Sequence, residues 1–406
     1  MKQKVSQIFN ICNIYLLIWV LYAFHWHMTG RFPLVEKFSN ALLGLNLVVS
    51  IYYFFYVHIK YYLPKVLYAL DFLLGLLVIY GICSIMFGGD IVIKFSGSRI
   101  NNASFLIGAL RSFLPFYAFY AFSLRGWLSE KSVKIWGAII MLQYLFIFTR
   151  SSRAMAWGLG NYVSGSAYLF TTMFPYVFLL KGRKIWGFAG VAFISLMVLL
   201  GVKRGAILIA VLFILYYIWM NFKNSTSVMS KVGVLVVVSA FLFVGVKYVS
   251  DFYERSSYFQ RRVEQTEEGG ASGRDQIASN IWRVYSTESN IWQMLFGYGA
   301  DGSLKVGVNY AHNDWLEVLI DMGLVGFVAY LVFWISLILQ WKRLKYNRLM
   351  YAILGGAIVV MLPRSMFSML FSNLEVSISM LMSYVLALSW QKQNLLENWA
   401  EKTFSS

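Results

Sequence analysis

Histidine is the side chain best suited to proton transfer near neutral pH, and His312 is the best placed of the four histidines in this sequence. It stands where a long polar segment re-enters an apolar helix, in the stretch AHNDWLEVLIDMGLVG. His25, His27 and His58 lie at the ends of apolar runs, where an interfacial position is the simpler interpretation. The sequence therefore indicates a general base at a membrane surface, contributed by His312.

Arginine is the second residue type that could do chemistry, because its planar guanidinium group binds phosphate or carboxylate through two hydrogen bonds. The segments predicted to face outward are rich in it, whereas those predicted to face inward mostly contain lysine. This difference favours binding of a polyanion at the outer surface, although single arginines could instead reach lipid headgroups or pair with local acids. The outward basic residues are Arg31, Arg99, Arg150, Arg153, Lys203, Arg204, Arg255, Arg261, Arg262, Arg274, Arg283 and Arg364.

The acidic residues in the helix after His312 are predicted to have structural roles. Asp314, Glu317 and Asp321 share one helical face, roughly opposite His312, and we expect them to pair with arginines such as Arg204 or Arg364. The sequence has no Asp-x-Asp pair, no phosphate-binding loop and no Gly-x-Ser-x-Gly elbow. Its two cysteines lie in apolar runs and its histidines have no metal-ligand spacing. We therefore predict no metal site and no cofactor.

The elements that must position these residues are membrane helices. Of 406 residues, 59% are hydrophobic and only 13% charged, and the mean hydropathy is +0.63. The apolar runs are roughly 18 to 25 residues long, which is the length that crosses a bilayer. We predict an all-α, polytopic integral membrane protein with about twelve transmembrane helices. The predicted spans begin near Ile8, Phe38, Leu63, Ser104, Val133, Ser164, Ile185, Arg204, Lys231, Asp314, Leu349 and Met366.

The charge distribution predicts the orientation of these helices. Lysines and some arginines cluster in alternate links and in both tails, which places the two termini in the cytoplasm by the positive-inside rule. The net charge of +17 is thus mostly a matter of topology, and we do not expect nucleic-acid binding. Residues 1–406 are predicted to form a single membrane domain, with one large extracytoplasmic loop, 251–311, between the ninth and tenth spans.

That loop contains two features of interest. Apolar residues recur at helical spacing from Asp275 to about Leu295, which predicts an amphipathic helix packed on the membrane domain. The stretch FGYGADG, from Phe296 to Gly302, predicts a glycine-rich turn that could bring backbone amides close to a ligand.

Four stretches resemble those of a known family. HNDWLEVLIDMG is similar to the His-Asn, nine residues, Gly signature of the bacterial O-antigen polymerase and O-antigen ligase superfamily. ASGRDQIASNIW followed by FGYGADG resembles the segment that precedes that histidine in the family. GVKRGAIL resembles its Arg-Gly at the outer end of a span, and GLGNYVSGSAYLF its glycine-containing stretch that opens another. The resemblance covers about residues 158–327.

The resemblance implies a metal-independent membrane glycosyltransferase of the GT-C-like type in the bacterial cytoplasmic (inner) membrane, with its active site on the periplasmic face. The implied partners are an undecaprenyl-diphosphate-linked glycan donor, an acceptor glycan and the membrane lipid itself. His312 would activate the acceptor hydroxyl, and Arg204 and Arg274 would hold the donor diphosphate. Asn313 would cap the helix or fix the imidazole. Arg261 and Arg262 are rivals to Arg274, and Arg153 is a further candidate for substrate binding.

Other functions remain open. A polymerase, which we favour, would transfer the growing glycan to a lipid-linked repeat unit, whereas a ligase would transfer it to lipid A core. A lipid-linked oligosaccharide flippase should show two related halves and charges near the bilayer midplane, and the sequence shows neither. In a membrane scaffold, His312 would merely cap its helix.

Overall fold

The computed structural model describes residues 10–26, 33–93, 97, 99–156, 166–180, 184–201, 203–224, 274–307, 309–368 and 374–404, with a few single positions between 225 and 273. These residues are mostly helical. The α-helices are α1 (Ile11–Trp26), α2 (Pro33–Lys60), α3 (Lys65–Phe87), α4 (Ser104–Leu124), α5 (Glu130–Ala156), α6 (Ser166–Thr171), α7 (Lys184–Leu200), α8 (Arg204–Asn224), α9 (Arg274–Arg283), α10 (Ile291–Phe296), α11 (Gly302–Val306), α12 (Asp314–Arg343), α13 (Arg348–Phe367) and α14 (Val376–Phe404).

Several short elements join these helices. The segments Phe174–Leu179 and Leu344–Tyr346 are 3₁₀ turns, and Val284–Glu288 is a wider helical turn that continues α9. Strands β1 (Ile91–Val92) and β2 (Arg99–Ile100) form a small antiparallel hairpin in which Ile91 pairs with Ile100. The hairpin contacts α11, so it lies at the same end of the bundle as the segment that precedes α12.

Seven of the described helices are long and apolar enough to cross a bilayer, which confirms an all-α membrane protein. These stretches are Lys37–Lys60, Lys65–Phe87, Ser104–Leu124, Glu130–Thr149, Arg204–Lys223, Asp314–Tyr346 and Arg348–Phe367. Shorter apolar helices cover Ile11–Phe24 and Ile185–Leu200, where the first and seventh spans were predicted. The span predicted from Lys231 lies outside the described residues, so the total of twelve stays a prediction.

Two predicted spans differ from the structure. The run from Ser164 is not one α-helix, because α6 ends at Thr171 and a 3₁₀ turn follows it around Pro175. Proline has no N–H to continue the helical ladder, and the Thr171 hydroxyl binds the Tyr168 carbonyl oxygen at 2.7 Å. The last helix begins at Val376 rather than near Met366, because Met366 belongs to the last turn of α13.

The bundle is organised around α4 on one side and α13 on the other. Every residue of α4 from Ser112 to Ser123 is buried, and α4 packs against α2, α3 and α14. Helix α13 packs against α8, α12 and the 3₁₀ turn that follows α6. Helix α13 is antiparallel to α8 and α12. The end of α13 therefore lies beside the start of α8 and the start of α12, where the candidate site is found.

Candidate active site

The first third of α12 is a separate short helix. It starts after Asn313, whose side-chain oxygen accepts hydrogen bonds from the backbone N–H groups of Trp315 at 2.9 Å and Leu316 at 3.3 Å. This is the capping role that the sequence suggested for Asn313. The short helix ends at Gly323, where φ is 63° and ψ is −158°, a backbone conformation open essentially only to glycine. The helix axis is broken there, and the remainder of α12 continues to Arg343 as the spanning part.

The glycine-rich turn docks on this break. Ending a helix leaves its last carbonyl groups without partners, and the turn supplies them. The backbone N–H of Tyr298 donates to the Ile320 carbonyl oxygen at 2.8 Å, and that of Gly299 donates to the Asp321 carbonyl oxygen at 2.9 Å. A Cβ atom on Gly323 would overlap the backbone at Leu295. The prediction that these amides face a ligand is therefore wrong for residues 298 and 299, because they bind α12.

Two acidic side chains of α12 form hydrogen bonds with backbone N–H groups rather than with arginines. Glu317 accepts a hydrogen bond from the backbone N–H of Ala311 at 2.5 Å, and Asp321 accepts one from the N–H of Gly302 at 2.6 Å. Both side chains are buried. Each carboxylate thus fixes one end of the segment that runs from the glycine-rich turn to His312, and for these two acids the predicted pairing with arginine is wrong.

Asp314 and Arg364 are close enough to interact electrostatically, and each also has another hydrogen-bond partner. The Tyr330 hydroxyl donates to Asp314 at 2.9 Å. The buried guanidinium of Arg364 forms two hydrogen bonds with the Glu375 carboxylate, at 2.5 and 2.6 Å. This bidentate pair joins the end of α13 to the start of α14. The Trp315 indole N–H donates to the Ser365 hydroxyl at 3.1 Å, which fixes the start of α12 against the end of α13.

His312 lies between the segment held by the two carboxylates and the cap of α12. Its φ of 54° is unusual for a residue other than glycine and turns the chain into the helix. The side chain is partly buried. Burial, followed by the positive charges of Arg274 and Lys203, lowers the pKa of His312 from its ordinary value of 6.5 to about 4. The imidazole is therefore neutral at pH 7 and can accept a proton.

Arg274 is held beside His312 by the end of α13 and by α6. Its guanidinium donates to the Phe367 carbonyl oxygen at 3.1 Å and also hydrogen-bonds the Tyr168 hydroxyl. Tyr168 is itself buried, and its ring lies 5.4 Å from the Arg364 guanidinium carbon. Two segments that are distant in sequence, the end of α13 and α6, thus fix Arg274, the first residue of α9. Sequence reasoning missed Tyr168, although it lies in the GLGNYVSGSAYLF stretch.

The Arg-Gly pair brings α8 to the same corner. A Cβ atom on Gly205 would overlap the Tyr168 hydroxyl and lie 3.1 Å from Cβ of Phe367. Glycine is therefore needed for α8 to approach these residues closely. Arg204, the first residue of α8, is exposed at this corner, and Lys203 lies close enough to His312 to act on its charge. We call His312, Arg274, Lys203 and Arg204 the basic corner.

The side chains of the other predicted site residues lie outside what the structure describes. Arg261 and Arg262 lie outside the described residues. Arg153 lies in the last turn of α5, and its binding role stays a prediction. The predicted amphipathic helix is present but interrupted: Asn290 caps a new helix, α10, through a reciprocal pair of bonds with Gln293. Within the part of the chain that the structure describes, no three histidine, cysteine or acidic residues cluster to hold a metal ion.

Comparison with known proteins gives one family. A family model described as O-Antigen ligase matches residues 188–331. The matched region runs from within α7 to within α12, and it includes all four members of the basic corner and the break at Gly323. A search of curated proteins gave no match.

Proposed function

Residues 188–331 relate this chain to the O-antigen polymerase and ligase superfamily, and we propose that the protein is a membrane glycosyltransferase acting on an undecaprenyl-diphosphate-linked oligosaccharide. The acceptor is a sugar hydroxyl in the assembly of O-antigen or another surface polysaccharide. We propose that the active site lies on the periplasmic face of the bacterial cytoplasmic membrane, because the basic corner lies at the opposite end of α12 from Lys342 and Arg343, which the positive-inside rule assigns to the cytoplasm.

The observation that carries the proposal is a neutral imidazole beside fixed cations. His312 has a free-base ring at pH 7, and Arg274 and Lys203 are close enough to lower its pKa. A glycosyl transfer from a lipid diphosphate needs a base for the acceptor and positive charge for the leaving group. The basic corner offers both without a metal ion, and we propose that the reaction is metal-independent.

The proposed step is a direct displacement. His312 takes the proton of the acceptor hydroxyl while that oxygen forms a bond to the anomeric carbon of the donor. The bond from that carbon to the diphosphate oxygen breaks, and its electron pair leaves with the diphosphate. Arg204 and Arg274 hold the departing group, and the anomeric configuration is inverted. The bound diphosphate also offsets the charges of Arg274 and Lys203, so that the imidazolium formed on His312 is stabilised.

Polymerase and ligase activities share this donor and this chemistry and differ only in the acceptor. We favour the polymerase, with ligation to lipid A core as the alternative. The discriminating experiment uses purified protein and a lipid-diphosphate-linked repeat unit, with and without lipid A core, and resolves the products by glycan length. Longer glycans from the repeat unit alone support a polymerase. Product that requires lipid A core supports a ligase, and no transfer in either reaction supports the flippase.

A substitution at His312 tests the base. His312→Gln keeps a polar side chain but cannot take up the proton, so we expect transfer to fall at least about a hundredfold, the usual contribution of a general base. His58→Gln is the matched control, because His58 binds Asp71 at 3.0 Å in the transmembrane region and lies outside the basic corner. Full transfer by His312→Gln would contradict the proposed role.

A further inference from the structure

A cavity lies at the end of α12 opposite to the basic corner. About 30 Å of helix, at 1.5 Å per residue, separates the break at Gly323 from Arg343, which is the thickness of a bilayer core. At that end, the last turns of α12, the following 3₁₀ turn, the start of α13 and part of α14 line an open cavity of about 590 Å³. Four basic residues, Lys342, Arg343, Lys345 and Lys392, line it, and no acidic residue does.

These four positive charges lack acidic partners in the described part of the chain. The ion pairs formed there include none of them. Lys345 lies over the ring of the neighbouring Tyr346, with its ammonium nitrogen 4.8 Å from the ring centroid, and this contact leaves its charge uncompensated. Like charges around one cavity repel each other, and a bound anion would remove that repulsion. The charge pattern therefore fits an anionic ligand.

Gln340 gives an independent indication of a ligand. Its side chain lines the same cavity and is only 5% exposed. Within the residues that the structure describes, its side-chain amide has no hydrogen-bond partner, so its N–H groups are available to a ligand in the cavity. A ligand with oxygen atoms in the cavity would accept from this amide. The site therefore combines positive charge with an amide donor that has no partner in the described part of the chain.

The surface next to the cavity is apolar. Leu339 also lines the cavity and is 50% exposed, on the membrane-spanning part of α12. A ligand that fills the basic cavity and covers Leu339 must have a charged head and an apolar chain. We propose that this cavity binds the phosphate headgroup of an anionic phospholipid, with an acyl chain lying along Leu339. A free phosphate would share the headgroup chemistry but would leave Leu339 uncovered.

The test uses the full-length protein in nanodiscs of phosphatidylcholine with a minor fraction of phosphatidylglycerol. Native mass spectrometry measures how strongly each lipid is retained. The variant K342Q/R343Q/K345Q should lower the preferential retention of phosphatidylglycerol at least about tenfold, since each basic residue near the surface contributes appreciably to binding of an anionic lipid. Gln340→Leu, which changes no charge, should also lower it, because the amide donor is lost.

The matched control is K60Q/K65Q/K131Q, which removes three exposed lysines outside the cavity. We expect this control to retain phosphatidylglycerol as the unchanged protein does. Equal losses in the two triple variants would overturn the proposal, because they would reflect net charge alone. Thermal stabilisation of the detergent-purified protein by inorganic phosphate as large as that by phosphatidylglycerol would overturn the lipid assignment. Neither measurement depends on glycosyl transfer.

Discussion

Replacing Gly323 by alanine should disrupt the break in α12 and with it the candidate active site. Gly323 has a φ of 63° and a ψ of −158°, which an L-residue with a side chain adopts only with strain. An added methyl group would also overlap the backbone at Leu295 and lie 2.6 Å from the backbone nitrogen of Gly297. Backbone atoms cannot rotate away as a flexible side chain would, so α10 and the glycine-rich turn must move.

The expected loss in the free energy of unfolding has two contributions. The backbone strain costs about 1–3 kcal/mol. Displacing the turn also breaks the hydrogen bonds from Tyr298 to Ile320 and from Gly299 to Asp321, each contributing about 0.5–1.5 kcal/mol. Together these effects predict a loss of about 2–6 kcal/mol in the free energy of unfolding. Transfer activity should fall as well, because the same turn leads into the segment that carries His312.

The assay is reversible unfolding of the purified protein in detergent micelles with increasing SDS, combined with glycosyl transfer by the folded fraction. Gly75→Ala is the matched control, because Gly75 lies within α3 and an added Cβ would meet no atom within 4 Å. Alanine is also the better helix former, so the control should be unchanged or slightly more stable. A Gly323→Ala protein within about 0.5 kcal/mol of the unchanged protein, and fully active, would refute this reasoning, since each effect above exceeds or equals that value.

Three further predictions concern the basic corner. Arg204→Lys keeps the charge but loses the planar fork, so we expect transfer at saturating donor to fall about tenfold; full activity would mean that Arg204 serves only as an anchor. Arg274→Gln removes a positive charge that lowers the pKa of His312, so that pKa should rise from about 4. The acid limb of the plot of kcat/KM against pH, which reports the free enzyme, should therefore move to higher pH. An acid limb that does not move would show that Arg274 does not influence the pKa of the base. Transfer should be unchanged by EDTA, and strong inhibition would reveal a metal requirement.

The sequence located the candidate residues better than it predicted the backbone that holds them. His312, Arg274 and Arg204 were found from their types and from a family resemblance, and the structure brings them to one end of the bundle with Lys203. The break at Gly323 was not predicted. Apart from Asp321, the residues of IDMGLVG continue the apolar pattern, and hydropathy does not encode a positive φ.

The roles of the carboxylates were also beyond the sequence. A helical wheel gives the directions of Glu317 and Asp321 but not the distance to any partner. In the fold, the backbone N–H groups of Ala311 and Gly302 come within hydrogen-bonding distance of them. A buried carboxylate is satisfied by such donors as well as by an arginine. Tertiary contacts between segments remote in sequence determine which donor each carboxylate binds.

The short helix between Asn313 and Gly323 also determines which changes in length the protein can tolerate. Its nine residues, 314–322, separate a capped start from a glycine end, and both ends are tied to other segments. One inserted or deleted residue would turn one end by about 100° and shift it by about 1.5 Å relative to the other. Glu317 and Asp321 could then not both keep their backbone donors. Apolar residues in this interval can therefore be exchanged for others of similar volume, whereas insertions and deletions are excluded.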